Sequence, residues 1–135
     1  MSRSRREERR GAAFLLYQHD LTGAGLEELY AAYDHDHSEP VSEFMRSRVE
    51  GAWDDREQID KAIDAAAEGW SADRMAVLER SILRLAVWEL RASDVPPAVA
   101  IDEAVELAKR YASPEAGALV NGVLGRIARE QGVGT

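Results

Sequence analysis

The run Asp34-His35-Asp36-His37 sets two imidazoles and two carboxylates within four residues, and with His19 it holds every histidine of the chain. A metal site draws its ligands from more than one segment, however, and no second ligand cluster lies near this run. Asp- and His-rich stretches of this kind are common solvated turns. Asp54-Asp55 and Asp102-Glu103 offer paired carboxylates for acid/base work, but adjacent residues on a helix do not face each other, so surface charge is the better assignment. The chain has no cysteine, which excludes disulfides, thiolate metal sites and a cysteine nucleophile. No serine stands in a G-x-S-x-G setting, and no glycine-rich phosphate loop leads into Lys-Ser or Lys-Thr. No catalytic set, metal or cofactor is expected.

What the residues do offer is charge concentrated in one place. The opening MSRSRREERRG carries Arg3, Arg5, Arg6, Arg9 and Arg10 with only Glu7 and Glu8 against them, so the first ten side chains sum to +3 in a protein of net charge −8. The other 125 residues carry 12 basic and 23 acidic side chains, or −11. Such asymmetry suits a localised site for a polyanion, and it equally suits a solvated terminal arm. At 100° per residue, Arg3, Arg6, Arg10 and Tyr17 fall within about 60° of one another, with Arg9 beside that face and Arg5 farther round. Side chains so arranged can line several phosphates, with Tyr17 free to stack a base or to join the core. Gly122 and Gly125 in NGVLG have the spacing of a nucleic-acid clamp, but within a helical window close helix packing accounts for them better. Trp53, Trp70 and Trp88, set among aliphatic residues, are expected in the core.

The elements that must hold these residues are helices. Helical periodicity runs through almost the whole chain and no stretch alternates as a half-buried strand does, which predicts an all-α protein. Ser4 and Glu7 have capping-box spacing, so the first helix is expected from Arg5 to about Leu21, with Thr22-Gly23 as its stop. LEELYAAYDHD is a short amphipathic segment, followed by a DHDHSEP loop ending at Pro40. From Val41 to Trp70 the pattern is helical, either continuous with a bend or broken near Asp54-Asp55, with Ile59, Ile63, Ala66 and Trp70 on one face. SADRMAVLERSILRLAVWELRAS is apolar on more than one side at Leu78, Ile82, Leu85 and Val87, the mark of a central helix. After the Asp94-Val95-Pro96-Pro97 break, VAIDEAVELAKRYA turns Val99, Ala100, Ala104 and Leu107 inward and Asp102, Glu103 and Glu106 outward. Ser113-Pro114-Glu115 then opens a final helix, and QGVGT is expected to fray from about residue 131. With 45% apolar residues, 135 in all and no linker or repeat, one domain spanning 1–135 is expected. No apolar run approaches the ~20 residues that span a bilayer and no signal peptide is evident, so a cytoplasmic protein is expected.

The segment LERSILRLAVWELRASDVPPAVAIDEAVELAKRYASPEAGALVNGVLGRI, from Leu78 to Ile127, closely resembles the transcription antitermination factor NusB family. RLAVWEL, the DVP break, the AVAIDEAVELAKRY helix and VNGVLG occur in the family's order, and the arginine cluster followed by LLYQHDL is similar to its Arg-rich opening. The resemblance is weaker from Leu26 to Trp70. It implies six to seven helices packed as two helical subdomains, and a non-enzymatic role. It implies binding to the boxA element of ribosomal RNA leader transcripts together with NusE, a small-subunit ribosomal protein, in an assembly with RNA polymerase and other Nus factors. By the same resemblance Arg5, Arg6, Arg9 and Tyr17 match RNA-binding positions, Arg10 extends the cluster, and Glu79 matches an acidic position turned toward NusE. Glu7 stands where relatives often carry arginine, and Ala118-Leu119 where they often carry a basic then an aromatic residue. Basic partners such as NusE suit an acidic surface. A related alternative is the helical RNA-binding module of some rRNA cytosine methyltransferases, whose catalytic domain with its cysteines this chain lacks; another is a purely protein-binding module. The sequence leaves a homodimer open.

Overall fold

The computed structural model describes residues 3–130, so the expected fraying of QGVGT lies outside the described residues. Seven α-helices follow in order: α1 (Arg5–Thr22), α2 (Leu26–Asp36), α3 (Glu43–Asp54), α4 (Arg56–Ala66), α5 (Val77–Ala92), α6 (Pro97–Tyr111) and α7 (Pro114–Glu130), with a 3-10 turn at Ala72–Arg74 before α5. Among the described residues there is no strand.

Local chemistry sets the ends of α1. The Ser4 hydroxyl accepts from the Glu7 amide at 3.1 Å and the Ser4 amide donates to Glu7 Oε1 at 3.1 Å, a complete capping box that satisfies two otherwise orphaned donors. The helix stops at Gly23, whose φ of +75° is the left-handed conformation that glycine adopts without a steric penalty. Ser42 caps α3 through the Met45 amide, and Ser113 caps α7 through the Ala116 amide.

Helix α5 is the centre of the molecule, touching α1, α3, α4, α6 and α7. Ile82, Leu83, Leu85, Ala86 and Val87 are all buried along it, and each large aliphatic so placed is worth about 1.5–3 kcal/mol of transfer free energy. α1 lies antiparallel to α5, since Arg9 pairs with Glu89 near one end and Asp20 with Arg80 and Arg84 near the other. α1 also packs on α2 and α3, while α6 and α7 pack on each other, and α5 joins the two groups. α3 comes close to α5 at Gly51, where an added Cβ would stand 2.2 Å from the Trp88 indole nitrogen.

Several expectations are corrected. The 41–70 stretch breaks at Asp55 into α3 and α4, but α4 ends at Ala66. Trp70 therefore leaves the face of Ile59 and Ile63 and lies 55% exposed rather than in the core. Trp53 and Trp88 are half-buried against the core as expected. Val99 is 40% exposed instead of inward, since the buried face of α6 is the one carrying Ala100, Ala104, Leu107 and Ala108. Asp34, His35 and Asp36 belong to α2 and not to the following loop. Ser71 to Ala76 is a 3-10 turn with flanking residues, not the start of α5. An added Cβ at Gly122 meets nothing within 4 Å and at Gly125 only the Arg129 guanidinium, so helix packing does not explain this pair.

Candidate nucleic-acid interface

The capped first turn of α1 fixes its arginines in three environments. Arg5, with a side chain 64% exposed, donates from Nη1 to Glu8 Oε1 at 2.7 Å and lies over the Phe44 ring at 4.2 Å. Arg6, 72% exposed, reaches across to α6 and forks onto Glu103, with Nε 3.1 Å from Oε2 and Nη2 3.1 Å from Oε1. The Glu103 carboxylate raises the Arg6 pKa. Arg9 is 8% exposed, and its Nε donates to both oxygens of the buried Glu89, at 3.0 and 3.1 Å. Arg48 of α3 meets the same Glu89 from the other side at 3.1 Å, burial pulling its pKa down against the attraction of that carboxylate. Arg9 therefore departs from its expected place among solvent-facing phosphate ligands: its guanidinium is buried as part of the joint between α1, α3 and α5.

Phe44 is the hub of this end, with the Arg5, Arg9 and Arg48 guanidinium carbons 4.2, 5.3 and 3.6 Å from its centroid. Glu8 ties α1 to α3 by accepting from the Ser42 hydroxyl and from Arg5. Burial pushes its carboxyl up, and these hydrogen bonds outweigh burial and hold it below its ordinary value. The Glu7 carboxyl is likewise lowered, by the Ser4 backbone amide first.

Arg10 and Tyr17 open onto a groove of about 810 Å³ between α1 and α2, closed on one side by Tyr111 at the end of α6. Arg10 Nη1 lies 3.5 Å from the Tyr111 hydroxyl, and Phe14 meets Tyr111 and Tyr17 edge-on at 5.0 and 6.4 Å. Across the groove the rings of Tyr33 and His37 stack at 3.7 Å with an interplanar angle of 8°. Arg3 precedes the helix and so leaves the face projected for it. It lies over Tyr33 and donates to the carbonyls of Glu39 and Pro40. Among the described residues, the single buried side-chain polar atom without a hydrogen-bond partner is Arg3 Nε.

Of the other expected residues, Ala118 is exposed and Leu119 half-buried on α7, which packs on α4, α5 and α6. Glu79 is half-exposed in the first turn of α5, beside Arg80, whose guanidinium is held by Asp20 at 2.7 Å and by the Ala72 carbonyl at 3.2 Å. Sequence reasoning missed Arg48, Phe44 and Glu89. Their signal was a charged residue amid apolar neighbours, Arg48 between Met45 and Ala52 and Glu89 inside RLAVWEL, which demands a buried counterion. Two of the histidines are engaged locally: His19 and His37 donate from Nδ1 to the carbonyls of Ala24 and Tyr33 at 2.7 and 2.8 Å.

The NusB family profile matches residues 6–129. A transcription antitermination protein NusB of Rubrobacter xylanophilus is 43% identical over 122 residues, covering 90% of this chain and 87% of the relative. The NusB of T. maritima superposes with a TM-score of 0.84 at 37% identity, covering 96% of this chain and 94% of that one. A chain from the crystal structure of the antitermination factors NusB and NusE in complex with dsRNA superposes with a TM-score of 0.82 at 33% identity, over 96% and 99% of the respective chains.

Proposed function

The chain belongs to the NusB family, and on that premise we propose that it binds the boxA element of ribosomal RNA leader transcripts together with NusE. As a transcription antitermination factor it joins the RNA polymerase elongation complex with other Nus factors, in the cytoplasm and without catalysing a reaction. The observation that carries this reading is the pair of exposed arginines, Arg5 and Arg6, with Arg10 and Tyr17 beside them, on a protein of net charge −8. Guanidinium groups take phosphate oxygens bidentately, and their binding releases counterions condensed on the RNA, so affinity falls as added salt makes that release less favourable.

In this reading Arg5, Arg6 and Arg10 meet phosphates, Tyr17 offers its ring to a base, and Arg9 is a positioning residue that holds α1 on α5. Ala118 brings no charge and Leu119 no π-face, so α7 adds little, and the isolated protein binds boxA weakly. Glu79 belongs to the surface that receives NusE, whose basic character complements an acidic protein. Residues 1–135 act as one domain.

A gel shift with boxA RNA, with and without NusE and against a scrambled RNA, tests the assignment. The expected result is weak, salt-sensitive and poorly selective retardation by the protein alone, and a tight boxA-selective band once NusE is added. Tight and selective binding without NusE would move the reading of bases to residues of this chain not named above. No band under either condition would remove RNA from its function.

A further inference from the structure

The groove between α1 and α2 is not needed to hold phosphates, and its lining is unlike a phosphate site. Arg3 and Arg10 are opposed there by three carboxylates, Glu7, Asp36 and Glu39, and Arg3 is already committed to two backbone carbonyls. A second phosphate would be repelled. The walls are instead aromatic: Phe14, Tyr17 and Tyr111 on one side, and the parallel Tyr33–His37 stack on the other. Its volume of about 810 Å³ is in the range of cavities that enclose organic ligands. Aromatic walls with carboxylate acceptors fit a flat, π-faced molecule carrying N–H donors, which among the parts of RNA is an amino-bearing base. Guanine fits best, because its ring imino and exocyclic amino groups are adjacent donors that one carboxylate accepts together.

We propose that this groove is a base pocket that receives one guanine, turned out of an RNA strand whose backbone passes along Arg6 and Arg10. The proposal rests on the RNA-binding reading above. Arg6 and Arg10 are one turn apart on α1, ~6 Å along its axis, and Arg10 lines both the track and the groove, so strand and pocket are continuous. Asp36 at the end of α2 and Glu39 in the following loop supply the acceptors that separate guanine from uracil.

The test uses the full chain and two uridine hexamers, one carrying a single guanosine, titrated by fluorescence anisotropy over a range of salt. The parent protein is expected to prefer the guanosine hexamer about tenfold. Ala32→Trp places an indole in the groove from an exposed position of α2. It should bring the preference to unity while leaving unchanged the slope of log affinity against log salt, which reports the phosphate contacts. The double variant Asp36→Asn with Glu39→Gln fills nothing and should also lose the preference, with affinity for the all-uridine hexamer equal or higher. Equal, salt-sensitive binding of both hexamers by the parent overturns the pocket alone, as does a preference that survives in Ala32→Trp. Absence of any salt-sensitive binding overturns the RNA reading, and the pocket with it.

Discussion

Arg6 and Arg9 are three residues apart and chemically identical, yet one is 72% exposed and forked onto Glu103 while the other is 8% exposed and held by Glu89. Their substitutions should differ accordingly. Arg5→Ala and Arg6→Ala should each reduce the salt slope of RNA binding by about 1, Arg6→Ala with no change in melting temperature and Arg5→Ala with a small decrease, since Glu8 then loses the Arg5 hydrogen bond. Arg9→Ala should destabilise the fold by roughly 1–3 kcal/mol, since Glu89 keeps Arg48 as its counterion but loses the buried hydrogen bonds that Arg9 donates. Thermal unfolding beside RNA titration separates the two, and an unaltered melting temperature for Arg9→Ala would contradict its role in the joint. A phosphate that takes the Nε–Nη2 edge of Arg6 displaces Glu103, and the freed carboxylate then gathers a cation that offsets part of the counterion release. Glu103→Gln should therefore tighten RNA binding several-fold and steepen its salt slope; weaker binding would mean that the fork onto Glu103 presents Arg6 to the RNA. The distinction between Arg6 and Arg9 was not legible in a helical projection, because the partner of Arg9 lies 80 residues away in sequence.

At the scale of elements, the antiparallel α1–α5 pair sets the RNA arginines and Glu79 at opposite ends. Arg9 lies level with Glu89 and Asp20 with Arg80, and the eleven residue steps from Arg9 to Asp20 span ~16 Å of helix. Changes at the two ends should act separately. Glu79→Lys should weaken the complex with NusE in calorimetry and leave the RNA salt slope as it was, whereas Arg6→Ala should do the reverse. Loss of RNA binding in Glu79→Lys would show that the ends are not independent. The helices themselves were largely legible, because their ends are written in local chemistry: the Ser4–Glu7 box, the left-handed Gly23 and the Ser113 cap each act within a few residues. Trp70 and Val99 were not, because projecting a residue onto a helix face assumes that the helix reaches it and that a neighbour covers that face. The groove was legible only in part. Tyr17 and Arg10 belong to one face of α1, but the Tyr33–His37 wall exists only once α2 folds back across it.

Over the whole molecule, the joints between helices are made by ionised carboxylates as well as by apolar packing, and this sets the response to acid. The Glu8 carboxyl, held below its ordinary value by Ser42 and Arg5, stays charged in the folded protein to lower pH than in the unfolded chain. As pH falls the unfolded chain binds its proton first, so the contribution of Glu8 is complete above the ordinary carboxylate range and is lost below about pH 4. Glu8→Gln should melt lower than the parent at neutral pH, and the difference should narrow as the two are compared by scanning calorimetry at falling pH. A constant difference would remove Glu8 from the acid response. The first ten side chains carry +3 at one end of α1, while the other 125 residues carry −11. Such a molecule is an electric dipole: in the field of a nucleic acid it experiences a torque before it experiences contact, and the strand meets it already turned, with much of its rotational search removed.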